Sequence, residues 1–132
     1  MGALLGVTVV TALSLVSVAA HAQSAGLTWS EGYRFSETSG EALFANVCRG
    51  CHMTDGKGAA GAGTYPSLAR NSNLETREYP VNVVVNGQRD MPPFGEMMND
   101  DQVAAVVNYL RTHFGNHYSD VVTPEDVKII RR

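Results

Sequence analysis

The sequence is short of the residues that fill a protein core. It has 132 residues, and the first 22 form a separate apolar stretch. Of the 110 that follow, only 22 are Leu, Ile, Val or Phe. That fraction is near the level at which a charged chain stays disordered. Yet charge is scarce too. Charged residues make up 17%, and 10 basic against 13 acidic side chains leave a net charge of −3. Without a basic excess there is no footprint for nucleic acid. The length excludes a barrel of eight βα units or a full dinucleotide-binding enzyme, and argues for one domain. Beyond residues 1–22 no run could cross a bilayer. Internal repeats and low-complexity tracts are absent. The two cysteines, Cys48 and Cys51, lie so close that a disulfide between them would do little to hold the fold. Something besides the chain's own side chains is expected to fill its interior.

Residues 1–22 contain no Lys, Arg, Asp or Glu and read as a secretory signal peptide. Leu4 to Val18 form its apolar region, and Ala20-His21-Ala22 is a small-x-small cleavage site that leaves Gln23 first. No basic residue precedes the apolar run, and an uncleaved membrane anchor is the alternative. Export predicts a periplasmic protein with no membrane span after cleavage.

Residues 23–37 read as a polar N-terminal arm dotted with Trp29, Tyr33 and Phe35. Thr38-x-x-Glu41 predicts a capping box, with a helix over 41–48 whose Phe44, Val47 and Cys48 share a face. Gly56, Gly58, Gly61 and Gly63 mark a loop over 54–66 whose backbone can approach another group closely. Residues 68–77 predict a short helix or turn. Pro80 and Gly87 bracket a helix over 79–86, against the strand preference of Val83, Val84 and Val85. Asn99-x-x-Gln102 is a second capping box, followed by Val103, Val106, Val107, Leu110 and Phe114 at helical spacing, with Gly115 as the stop. Thr123-Pro124-Glu125-Asp126 is a further helix start. The expected fold class is all-α with long loops.

Cys48-Arg49-Gly50-Cys51-His52 is C-x-x-C-H, the covalent attachment pattern of c-type haem. Two sulfurs on one helical turn match two vinyl groups, and His52 follows as the proximal iron ligand. Three other readings compete. A thioredoxin-like dithiol needs a surrounding βαβ pattern, which is missing. A zinc site needs further ligands, and there is no third cysteine. The third is a chance disulfide. An electron carrier also needs a sixth iron ligand, and methionine raises the potential. Met53 adjoins His52 and cannot reach the opposite face. Met91, followed by the stiff Pro92-Pro93, is the favoured candidate; Met97 and Met98, beside a helix cap, read as packing. His113 and His117 read as solvated. Asp90, Glu96, Asp100 and Asp101 flank the Met91 segment, either as cap and solvated residues or as an acidic rim that orients a partner.

The chain resembles the class I c-type cytochromes over residues 38–115. Gly40 and Phe44 match the small and aromatic residues of that family's N-terminal helix. Cys48-Arg49-Gly50-Cys51-His52 is its haem motif. Pro66 and Leu68 match the proline and leucine after its glycine-rich loop. Met91-Pro92-Pro93-Phe94 matches its ligand loop, and Tyr109-Leu110 its C-terminal aromatic–aliphatic pair.

The resemblance implies a cytochrome c-like fold with crossing N- and C-terminal helices, Gly40 close to Tyr109, and haem in the core. It implies one covalent haem c, with His52 and Met91 as iron ligands. The Pro66 carbonyl is expected to accept the His52 Nδ1–H, and Leu68 to pack on the haem. Residues 116–132 form a C-terminal extension outside the common core. Residues 116–127 resemble tails of small cytochromes that accompany periplasmic dehydrogenases. The expected role is a non-enzymatic electron carrier, monomeric or a dehydrogenase subunit. Its donor would be a dehydrogenase, and its acceptor another cytochrome or a terminal oxidase.

The shortage of apolar side chains yields a prediction. The chain lacking covalent haem should show no cooperative thermal transition by circular dichroism. A sharply melting apo form would mean that its own side chains suffice.

Overall fold

The structure, a computed structural model, describes residues 34–61 and 63–131. The predicted signal peptide and nearly all of the predicted arm lie outside the described residues. The chain is mainly helical with long connections. It runs α1 (Gly40–Leu43), a π-helical segment (Phe44–Cys48), α2 (Arg49–His52), β1 (Ala59–Ala60), β2 (Thr64–Tyr65), a 3₁₀ turn (Ser72–Leu74), α3 (Glu78–Asn86), α4 (Asp100–Thr112) and α5 (Pro124–Ile130). Among the described residues no helix is long and apolar enough to cross a membrane.

The first helix starts one residue later than the expected capping box. Ser39, not Thr38, is the N-cap, and its hydroxyl accepts from the Ala42 N–H at 3.2 Å. Either hydroxyl could cap, and Ser39, extended just before the first turn, is the one that does. The helical path also runs past Cys48 to His52. Its middle is widened: the Arg49 N–H bonds back to the Phe44 carbonyl, five residues away. Such π segments insert an extra residue into a turn and re-aim the side chains that follow.

The helix α4 forms where the periodicity predicts it. Asn99 and Gln102 make a reciprocal capping box, and Asp100 and Asp101 occupy the first turn. Val103, Val106, Val107 and Leu110 are all buried. Each such apolar side chain contributes about 1.5–3 kcal/mol when fully buried. The helix ends at Thr112, before the expected Gly115, because His113 is already extended and Phe114 takes a positive φ. In α3, Val81, Val84 and Val85 face the core at helical spacing, which overrides their strand preference.

Three segments are more ordered than their residue pattern specifies. Within the glycine-rich loop Ala59 pairs with Tyr65 and Ala60 with Thr64 as an antiparallel ribbon. Within 68–77 the expected short helix or turn is the 3₁₀ turn Ser72–Leu74. The tail joins the core, since Val122 and Val127 are buried in the same cluster as Val103 and Leu43. Thr123 and Asp126 cap α5 reciprocally, so its few residues do form a helix.

The helices α1 and α4 touch at Gly40. A Cβ there would lie 2.2 Å from the Ala105 carbonyl oxygen and 2.6 Å from the Tyr109 Cβ. Phe44, Tyr109 and Phe114 pack together beside this contact, with ring centroids 4.7–5.8 Å apart.

Polar side chains tie the rest together. Arg111 is fully buried on α4. It donates to the carbonyls of Leu74, Glu75 and Asp120 and to the Asp120 carboxylate. The Arg111 guanidinium holds the Asp120 carboxyl below its ordinary range.

Two predictions follow from these contacts. Gly40→Ala forces backbone apart and should destabilise the protein by about 1–3 kcal/mol in denaturant melts. Unchanged stability would mean that α1 and α4 are free to separate. The Asp120 pair stabilises only while the carboxylate is charged. Its contribution is complete above the ordinary aspartate value of about 4 and fades as pH falls through the lowered folded value. Asp120→Asn should therefore destabilise at neutral pH and reduce the slope of stability against pH in acid. An unchanged slope would contradict the pairing.

Candidate functional site

The end of the π-helical segment and α2 carry three of the expected site residues. Cys48 is half-buried, Cys51 is exposed, and both are free thiols. His52 is buried, 8% exposed. Its Nδ1 lies 3.0 Å from the Pro66 carbonyl oxygen, to which it donates, and that leaves Nε2 as the acceptor nitrogen. Met53, at φ +62, ends the helix directly after the histidine.

The loop that follows has to bring Pro66 back to His52. The Gly58 N–H donates to the His52 carbonyl at 3.0 Å. The Leu68 and Ala69 N–H groups both reach the Gly56 carbonyl, at 2.7 and 3.0 Å. Gly58 is pinched: a Cβ there would lie 2.1 Å from the Tyr65 carbonyl oxygen. Asn116 then fastens this loop to α4. Its amide donates to the Leu68 and Leu110 carbonyls, and its oxygen accepts from the Asn71 N–H, all at 2.8–2.9 Å. Leu68 packs half-buried against the core.

Met91 lies half-buried on the same core, at the end of a tight turn. Gln88 and Met91 exchange backbone hydrogen bonds at 3.0 and 3.1 Å, with Arg89 at φ +54 between them. The Tyr79 hydroxyl donates to the Gln88 side chain at 2.9 Å. Beyond Pro92-Pro93, the Phe94 and Gly95 N–H groups cap the Val84 and Val85 carbonyls of α3. Met98 is a buried core residue, and Met97 is half-buried. His113 and His117 are exposed, and His113 stacks on Tyr109 at 4.0 Å. Asp100 is not part of an open acidic rim, because it pairs with Arg131. Asp90, Glu96 and Asp101 are exposed.

Sequence reasoning missed Arg111, Asn116 and Arg131. For Arg111 a signal existed. It falls on the stripe of Val103 and Val107 at i, i+4, i+8, where a solvated arginine does not belong.

The chemistry of the donors separates the readings of the two cysteines. A redox dithiol needs a lowered thiol pKa. The Cys48 thiol is instead pushed up to about 11, first by burial and then by the charge of Cys51. A zinc site needs more ligands than the motif supplies, and among the described residues no three His, Cys, Asp or Glu side chains gather as one. Unpaired cysteines on one turn, a histidine oriented through Nδ1, and half-buried apolar neighbours suit covalent haem.

Comparison with known proteins agrees. Residues 36–110 match the family described as cytochrome c oxidase, cbb3-type, subunit III. The chain is 33% identical over 109 residues to the fructose dehydrogenase cytochrome subunit of Gluconobacter japonicus, covering 71% of this chain and 22% of that protein. It is 30% identical over 109 residues to the gluconate 2-dehydrogenase cytochrome c subunit of Pantoea cypripedii, covering 71% and 24%. It is 32% identical over 73 residues to cytochrome c6 of Gracilaria tenuistipitata var. liui, covering 54% and 68%. The chain thus spans about a quarter of each of these two dehydrogenase subunits and two thirds of the cytochrome c6. With its C-x-x-C-H turn inside the matched segment, the chain belongs to the c-type cytochromes, and its cofactor is covalently attached haem c.

Proposed function

We propose that the chain is an exported single-haem electron carrier. It accepts single electrons from a periplasmic dehydrogenase and passes them toward the respiratory chain, through another cytochrome or a terminal oxidase. In this reading residues 1–22 are the signal peptide, 23–37 an arm, 38–115 the cytochrome c domain, and 116–132 an extension. The observation that carries it is His52: a buried imidazole, one residue after the second motif cysteine, whose Nδ1 is committed to the Pro66 carbonyl.

Bound haem c supplies a one-electron Fe(III)/Fe(II) couple. Cys48 and Cys51 would hold it through thioether bonds. His52 Nε2 and Met91 Sδ would be the iron ligands. The Pro66 carbonyl holds the Nδ1 proton of His52, which fixes the tautomer and ring plane and raises the basicity of Nε2. The Gln88–Met91 turn and Pro92-Pro93 limit how far Met91 can move. Leu68 and Phe94, half-buried against the core, would shield the site from water. The chain then needs no catalytic nucleophile and no substrate pocket. The helices α1 and α4 would cross at Gly40, with haem completing the core between them and the loops.

A second reading makes the chain a permanent subunit of a dehydrogenase. Its support is that two of the matched relatives are cytochrome subunits of dehydrogenases. Isolation from native membranes and periplasm distinguishes the two. A free carrier elutes alone, and a subunit elutes with a larger redox enzyme.

The ligand assignment has its own test. The ferric protein should show the weak near-infrared charge-transfer band of methionine–iron ligation. Met91→Ala should abolish the band and lower the reduction potential, while haem stays attached on a denaturing gel. A wild-type protein without the band would have no methionine on the iron, and its sixth position would be either open, as in a haem enzyme or gas sensor, or taken by a histidine such as His117.

A further inference from the structure

The end of the extension reaches the Met91 segment. Arg131 follows α5, and its backbone N–H closes the helix on Val127. Its guanidinium meets three acceptors at once: Nη1 donates to the Gly95 carbonyl, Nη2 to the Met98 carbonyl, and Nε to the Asp100 carboxylate. Gly95 and Met98 belong to the stretch that leads from Met91 into α4, and Asp100 opens α4. One side chain therefore joins the exit of the Met91 segment, the start of α4 and the end of α5.

The segment needs such a tether. A cavity of about 290 Å³ lies beside it, lined by Val85, Asn86, Pro93, Gly95, Glu96 and Arg131. Pro93, Gly95 and Glu96 border this space, while Met91 and Phe94 pack on the core. The N–H groups of Phe94 and Gly95 tie it to α3 and the Phe35 N–H to the Met97 carbonyl; Arg131 is the side chain that holds it, at the Gly95 and Met98 carbonyls. Gly95 is tightly enclosed. A Cβ there would lie 2.8 Å from the Val85 carbonyl oxygen and 3.0 Å from the Arg131 Nη1.

We propose that Arg131 is a positioning residue for Met91: the C-terminal extension clamps the ligand segment and holds the thioether on iron against competing ligands. The inference rests on Met91 being the sixth ligand. A planar fork with five donors suits three acceptors in fixed directions; a lysine ammonium does not reproduce it. A thioether is a weak ligand, so its hold depends on how far its segment can drift. Releasing the clamp gives the segment the cavity to move into, and an added imidazole takes the vacated position more readily.

The test uses the ferric holoprotein and imidazole as the probe. Arg131→Ala and Arg131→Lys should keep the near-infrared methionine band at neutral pH without added ligand. Both should bind imidazole about fivefold or more tightly than wild type, the scale of losing charge-assisted hydrogen bonds at a partly exposed site. Arg77 provides the contrast. It ties the other end of the extension, donating to the Val121 carbonyl and pairing with Asp126 and Asp120, all of them partners outside the Met91 segment. Arg77→Gln should lower thermal stability and leave imidazole affinity within about twofold of wild type. Wild-type affinity in both Arg131 variants overturns the clamp. An equal rise in Arg77→Gln overturns it too, because any loosening of the tail would then suffice. A wild-type protein lacking the methionine band removes the sixth-ligand reading itself, and is recognised before any variant is made.

Discussion

A single hydrogen bond holds the buried His52 imidazole, from its Nδ1 to the Pro66 carbonyl fourteen residues away. The Nδ1–Pro66 contact constrains the chain between them. It must leave a helix at Met53, turn within a few residues, and return without crossing the ring. Gly58 allows the return by letting the Tyr65 carbonyl pass where a side chain would stand. The short ribbon of Ala59–Ala60 with Thr64–Tyr65 then closes the excursion. The glycine at position 58 is thus tied to the orientation of one imidazole.

The same economy runs through the rest of the fold. Apolar side chains are few, and α1, α3 and α4 use most of them on one cluster. Elsewhere, polar side chains satisfy backbone carbonyls that a larger protein would cover with apolar packing. Arg111 closes the 3₁₀ turn against the tail. Asn116 closes the Pro66 loop against α4. Arg131 closes the Met91 segment against α5. Each serves several acceptors, part-buried or buried, so each is expensive to remove: a buried group left without its partner costs about 1–3 kcal/mol. The arrangement suits a small protein whose largest apolar body is its cofactor.

Much of this was legible in the residues. The helix α4 announces itself through valines at helical spacing and the Asn99–Gln102 box, and α3 through Pro80 and Gly87 against the strand preference of its valines, all of them local signals. The haem motif is local as well. Other features were not legible because their causes are remote in sequence. Thr38 and Ser39 are both competent caps, and only the path of the chain from Phe35 selects Ser39. The ribbon depends on the pinch between Gly58 and Tyr65. The burial of the tail depends on α3 and α4, which give Val122 and Val127 a place to go. The clamp at Arg131 involves acceptors more than 30 residues away.

The central claim is that two remote residues, His52 and Met91, are brought to opposite sides of one haem by a scaffold that leaves each little freedom. The most direct measurement is the coordination of iron in a crystal structure of the ferric protein. It should show His52 Nε2 and Met91 Sδ as the two axial ligands, thioether bonds from Cys48 and Cys51, and the Pro66 carbonyl still on Nδ1. An iron with water, His117 or another methionine in the sixth position would contradict the account.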